Sequence, residues 1–125
     1  DITRVTVING YFTKEQEEIL SIVKEAQRKA IKTCRPGITN FELDMVARKI
    51  IQEYGYDIPH GLGHGIGLEV HEEPSIAYKG YKTTREVKIK ERMVFTIEPG
   101  IYLPRKFGIR MEDDVLVTKK GCKVL

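Results

Sequence analysis

Apolar and polar residues alternate from Asp1 to Ile8 ("DITRVTVI") and the alternation stops at Asn9-Gly10, so the pattern predicts a strand followed by a turn. A helical period comes next. Thr13 and Gln16, three positions on, make a capping-box pair, and Ile19, Ile22, Val23, Ala26 and Ala30 then recur on one face until Pro36-Gly37 stops the run. The same grammar repeats at once. Thr39 and Glu42 form a second capping box, Leu43, Val46, Ala47, Ile50 and Ile51 make an apolar stripe, and Gly55 is placed to act as the C-cap. From Tyr56 onward the spacing changes to short β-rich runs, "MVFTI", "GIYL" and "DDVLVT", broken by Gly and Pro. One strand, two helices and then several short strands give an α+β order, with helices on one face of a mainly antiparallel sheet.

A chain of 125 residues suits one compact unit, residues 1–125. With 41% apolar and 31% charged residues it has the balance of a soluble globular protein, and no apolar run approaches the twenty or so residues of a bilayer crossing. Neither a membrane partner nor a signal peptide is expected. The net charge of +3 is spread over 21 basic and 18 acidic residues, too even to argue for a nucleic-acid partner. The one basic stretch, "KTTREVKIKER" from Lys82 to Arg92, reads as a solvated face. Cys34 and Cys122 stand far apart in no metal or redox spacing, which fits a reducing, cytoplasmic setting. The chain opens in mid-strand without a Met, so a piece of a longer polypeptide is expected.

The chemistry gathers in "HGLGHGIGLEVH", residues 60 to 71, which holds all three histidines of the chain together with Gly61, Gly63, Gly65 and Gly67. On a helix, His60, His64 and His71 would share a face, but so many glycines argue for a strand and turn where backbone passes close to something else. A metal or a substrate is the expected neighbour. A single histidine here would read as a loop residue or a carboxylate partner; three together point to a site. Glu98 in "MVFTIEPGIYLP" and Glu112 in "GIRMEDDVLVT" sit among apolar residues, where a carboxylate loses hydration at a cost of several kcal/mol, on the order of magnitude for a buried ion, unless a cation or donors compensate. An ion pair with Arg110 is the plainest compensation. One imidazole with carboxylates is also a mostly hard-oxygen ligand set suited to Mn²⁺, Co²⁺, Zn²⁺ or Fe²⁺.

The ordered motifs "HGLGHGIGLEVHEEP", "MVFTIEPGIYLP" and "GIRMEDDVLVT", with "DITRVTV" before them, resemble the C-terminal part of the catalytic domain in the pita-bread metallopeptidases, in the Xaa-Pro dipeptidase (prolidase) and aminopeptidase P branch. The resemblance implies a pita-bread fold and two divalent metal ions, Mn²⁺ or Co²⁺ first and Zn²⁺ or Fe²⁺ next. It implies Asp1, His64, Glu98 and Glu112 as metal ligands, with Glu112 bridging, and places the family's first aspartate upstream of residue 1. It further implies His60 and His71 as histidines that contact substrate and assist proton transfer, and Arg110 as an arginine beside the bridging glutamate. The implied reaction is hydrolysis of the bond preceding proline, on a peptide with proline in second position, by a full-length protein that is a cytoplasmic homodimer. The isolated 125-residue chain, lacking the first aspartate, is expected to be inactive. A methionine aminopeptidase shares "GHGIG" and "IEP" stretches but typically ends in a "FEHT"-like sequence where this chain has "RMEDDVLVT". A creatinase-like member fits less well. A catalytically silent pita-bread module that binds peptides is the reading from another class, and the filled ligand positions count against it.

Overall fold

In the computed structural model, described for residues 1–8 and 10–125, both helical patterns become helices: α1 over Lys14–Thr33 and α2 over Asn40–Glu53. Each starts at a threonine for the expected reason. Thr13 Oγ1 accepts from the Gln16 backbone N–H at 3.2 Å and the Gln16 side chain accepts from the Thr13 N–H at 2.9 Å. Thr39 and Glu42 repeat this at 3.1 and 2.8 Å. Replacing Thr39 by alanine removes one half of that exchange and is expected to cost about 1 kcal/mol in denaturant unfolding. α1 ends at Cys34, two residues before Pro36. α2 is capped by Tyr54 and not by Gly55 as expected; Gly55 follows one position beyond the cap with φ +82°, where the left-handed turn is made.

Seven strands follow: β1 Gly63–Gly65, β2 Glu72–Ile76, β3 Val94–Ile97, β4 Gly100–Leu103, β5 Phe107–Arg110, β6 Asp113–Val117 and β7 Cys122–Val124. Five of them form a sheet in the order β2-β1-β3-β6-β7, and β4 and β5 form a separate hairpin. Every pairing is antiparallel. α1 packs along α2 and against β3, β4 and β5, so the core lies between the helices and the strands. Ile19, Val23, Ala26 and Ala30 of α1, Leu43, Ala47 and Ile51 of α2, and Phe95, Ile97 and Val115 of the sheet are fully buried there. Among the described residues no helix is long and apolar enough to cross a membrane.

Three expectations need correction. Asp1–Ile8 does not form a strand ladder; its one bridge joins Thr3 to Glu112. The alternation itself persists, with Thr3, Val5 and Val7 half-buried and Ile2, Arg4, Thr6 and Ile8 exposed, but only Thr3 makes a ladder-type pairing. Asn9 of the predicted turn lies outside the described residues; Gly10 has φ +100°. Second, the two cysteines are neighbours. Cys122 donates to the carbonyl of Ile31 at 3.3 Å, and its hydrogen bond with Cys34 pushes the Cys34 thiol up, an effect to which burial adds. Strand β7 returns the chain to the C-terminal end of α1, which residue spacing does not reveal.

The third correction concerns the glycines. A Cβ on Gly63 would collide with the carbonyl of Thr96, and one on Gly65 with the carbonyl of Glu73. The close neighbour is therefore adjacent protein backbone on both sides of β1, not a metal or a substrate. The basic stretch from Lys82 to Arg92 is largely exposed and buries Ile89, as a solvated face should.

Candidate metal centre

Four separate chain segments deliver the polar side chains of one site. His64 is the central residue of β1, flanked by the two glycines that let β1 sit against its neighbours. Glu98 directly follows β3 and Glu112 directly precedes β6, so both carboxylates stand at strand ends and not within strands. Asp1 reaches the same place because the Thr3–Glu112 bridge lays the first residues beside β6. Candidate ligand atoms of Asp1, His64 and Glu112 all lie within 4.8 Å of one another. His64 Nε2 is 3.7 Å from Asp1 Oδ2 and 3.4 Å from Glu98 Oε1. The carbonyl of Gly65, 3.0 Å from His64 Nδ1, can only accept, so Nδ1 carries a proton and Nε2 faces the carboxylates.

The electrostatics of this cluster call for positive charge. Glu112 is 1% exposed. Burial pushes the Glu98 carboxyl above its usual range and the Glu112 carboxylate adds to the rise, while His64 and His60 oppose it. Arg110 gives partial compensation, with Nη1 3.8 Å from Glu98 and Nε 4.0 Å from Glu112. At those distances it is the expected ion-pair partner, yet one half-exposed guanidinium cannot neutralise three carboxylates. Oxygen donors with one free imidazole nitrogen, mutually repelling and within reach of one point, fit a divalent cation.

Several residues that set this geometry are not evident from their spacing. Thr96, fully buried, accepts from the His64 backbone N–H at 3.0 Å and donates to Glu98 Oε1 at 3.2 Å, tying the β1 backbone at His64 to the carboxylate. Thr3 donates to Glu112 Oε2 at 2.5 Å and accepts from Arg110 Nε at 3.0 Å. Two residues from Asp1 on an extended segment, it points to the same side, a signal that period-two reading could have used. Gln27 bonds the carbonyl of Ile97 and the carboxylate of Asp113, the residues next to Glu98 and Glu112. Its mark in the sequence is a polar residue inside the apolar face of α1.

The other predicted residues surround a cleft of about 700 Å³ that opens beside the carboxylates and is lined by His60, His64, His71, Glu98 and Arg110. The exposed His71 ring lies 4.2 Å, centroid to centroid, from that of His64. His60 is turned away from the carboxylates: its Nδ1 donates to the Gly61 carbonyl at 2.7 Å, and its Nε2 meets the Tyr102 hydroxyl at 2.8 Å. Tyr102, whose hydroxyl is held protonated by burial despite the nearby Arg110, was not singled out by sequence. Asn40 steadies the far wall by bonding the carbonyls of Ser75 and Arg85 and the N–H of Val87. Another concavity, about 760 Å³, lies on the outer face of α2 by Met45 and Tyr78 and contains none of the predicted ligands.

With these positions established, comparison with known proteins is decisive: the sequence profile of metallopeptidase family M24 matches residues 1–119. The chain belongs to that family. It is 51% identical, over its whole length, to an Xaa-Pro dipeptidase of Pyrococcus horikoshii, of which it spans 34%. Among solved structures it is similar to the prolidase from Pyrococcus furiosus, with a TM-score of 0.91 at 50% identity, covering 98% of this chain and 35% of that one. It is similar also to the X-Pro aminopeptidase from Thermotoga maritima, with a TM-score of 0.91 at 49% identity, covering 99% and 34%. The α+β architecture is thus the pita-bread fold of the prolidases. The M24 chain described here spans about a third of the length of the relatives it matches.

Proposed function

We propose that this chain, residues 1–125, is the C-terminal part of the catalytic domain of a proline peptidase that uses two divalent metal ions to hydrolyse the bond preceding proline. The observation that carries the reading is the convergence of Asp1, His64 and Glu112 within 4.8 Å of one another, with Glu98 3.4 Å from the same imidazole, from four distant segments. Similarity to an Xaa-Pro dipeptidase and an X-Pro aminopeptidase supports the substrate class. The single bridge made by the first residues and the exposure of Ile8 and Tyr11 suit a chain flanked by further strands in a larger domain. The full-length enzyme is a cytoplasmic homodimer in this reading.

Asp1, His64, Glu98 and Glu112 would hold the ions, Mn²⁺ or Co²⁺ ahead of Zn²⁺ or Fe²⁺. When bound, the ions supply Lewis-acid polarisation of the scissile carbonyl and acidify a water. The protein's own residues do the rest. Thr96 and Thr3 orient Glu98 and Glu112, and Arg110 balances their charge from the cleft side. His71, exposed beside His64, is placed to hand a proton to the leaving proline nitrogen. His60, anchored through Gly61 and Tyr102, contacts and orients the substrate from the other wall.

The test is an assay of the full-length enzyme, loaded with Mn²⁺ or Co²⁺, on Xaa-Pro dipeptides, longer Xaa-Pro peptides and Met-Ala peptides. Cleavage confined to Xaa-Pro bonds, lost on chelation and restored by metal, is expected. The isolated chain should show no turnover. Preference for Met-Ala peptides would assign the site to a methionine aminopeptidase, and metal-independent cleavage would remove the mechanism altogether.

A further inference from the structure

We propose that Arg48 is a positioning residue for this hydrolysis, acting through His60; the inference rests on the proline-peptidase reading of the site. Arg48 lies in α2, is 4% exposed, and spends its guanidinium on the segment that leads into β1. Nη1 donates to the carbonyl of Ile58 at 2.6 Å and Nη2 to the carbonyl of His60 at 2.8 Å. Nη1 also reaches Asp57 Oδ1 at 2.9 Å. The fully buried Asp44, one helical turn earlier, holds the same guanidinium by Nε at 2.8 Å and Nη2 at 3.2 Å. Asp44 Oδ1 then accepts from the N–H of Leu62 at 3.0 Å. The ring of Tyr78 covers the guanidinium, 4.3 Å from its Cζ.

The groups that α2 grips are the carbonyl of Ile58, the carbonyl of His60 and the N–H of Leu62. Residues 58–62 belong to no strand and the backbone bends at Pro59, His60 and Leu62, so these groups lie outside any sheet ladder and two side chains of α2 supply their hydrogen bonds. Burial works against both charges: it pushes the Asp44 carboxyl up, against the pull of Arg48. A buried ion pair of this kind is weak evidence for stability, because apolar residues of similar size often serve the fold as well. What apolar residues could not do is fix two carbonyls and an N–H. The pair therefore sets where His60 enters the cleft, with its ring between Gly61 and Tyr102.

The test is a double-mutant cycle in the full-length, metal-loaded enzyme. Arg48→Lys keeps the charge beside Asp44 but cannot span both carbonyls, and Asp44→Asn with Arg48→Met removes the grip without leaving a buried charge unpaired. Either variant is expected to keep the wild-type metal content and lose about ten- to a hundredfold in kcat on an Xaa-Pro dipeptide, the scale of a small misplacement of a substrate-orienting group. In a His60→Ala background the same changes should cost less than about twofold more, since the residue they position is gone. Losses that multiply in that background, an unchanged kcat, or loss of metal together with activity would overturn the proposal. Failure of both variants to fold would assign Arg48 to stability alone and overturn it as well. An unmodified enzyme that leaves Xaa-Pro bonds intact would instead sink the functional reading, before any variant is compared.

Discussion

Replacing Glu112 by alanine in the full-length enzyme is expected to lower turnover by at least about a thousandfold, because transition-state charge stabilisation by a bound metal amounts to several kcal/mol and each 1.4 kcal/mol is about tenfold. Elemental analysis should show bound metal falling with activity. Glu112 is the carboxylate with the least alternative use: it is 1% exposed, lies within 4.8 Å of the candidate ligand atoms of Asp1 and His64, and is oriented by Thr3. The variant Glu112→Gln separates charge from shape. Without metal it should be no less stable than the parent in thermal unfolding, since it relieves the repulsion that raises Glu98. With metal it should lose the stabilisation that binding confers on the parent. Unchanged metal content in Glu112→Ala, or a parent that metal does not stabilise, would count against the ligand assignment.

The second large effect is on the fold. Gly63→Ala is expected to cost more than about 4 kcal/mol, a large share of the about 5–15 kcal/mol that stabilises a typical domain, because the new methyl group has to occupy the position of the Thr96 carbonyl and neither backbone can yield without breaking the sheet. Denaturant unfolding of the soluble fraction measures it. Gly80→Ala is the control. Gly80, unlike Gly63, has a positive φ, +94°, and nothing lies within 4 Å of its added Cβ, so the cost there is the left-handed backbone alone, about 1–2 kcal/mol. Equal, small effects at the two positions would mean that β1 does not need close backbone approach.

Helices and capping threonines were legible because their causes are local: Thr13 with Gln16 and Thr39 with Glu42 meet within one turn, the apolar stripe of α1 is buried, and that of α2 is buried at Leu43, Ala47 and Ile51 and half-buried at Val46 and Ile50. The later strands were legible by composition and period for "MVFTI", "GIYL" and "DDVLVT", but β1 and β7 have only three residues each, and β2 ("EEPSI") and β5 ("FGIR") lack a β-rich composition. The segment Asp1–Ile8 has a strand's alternation without a strand's ladder, since alternation reports which side faces the core and pairing needs a neighbour of sufficient length. The four candidate ligands came from resemblance to a family and not from spacing. The residues that orient them, Thr3, Thr96 and Gln27, went unread because each acts across more than 30 residues, through Glu112, through His64 and through Ile97 and Asp113.

What the chain's sequence determined by itself is therefore its inventory: two capped amphipathic helices, a run of short strands, and a set of histidines and buried-type carboxylates whose chemistry suits a divalent cation. Which carboxylate meets which imidazole, why the glycines beside His64 have to be glycines, and how α2 takes hold of the segment before β1 were decided by tertiary structure. The physical reason is that a ligand set, a backbone contact and a side-chain clamp are distances between atoms far apart along the chain, and only the packing of sheet and helices brings those distances to a few ångströms.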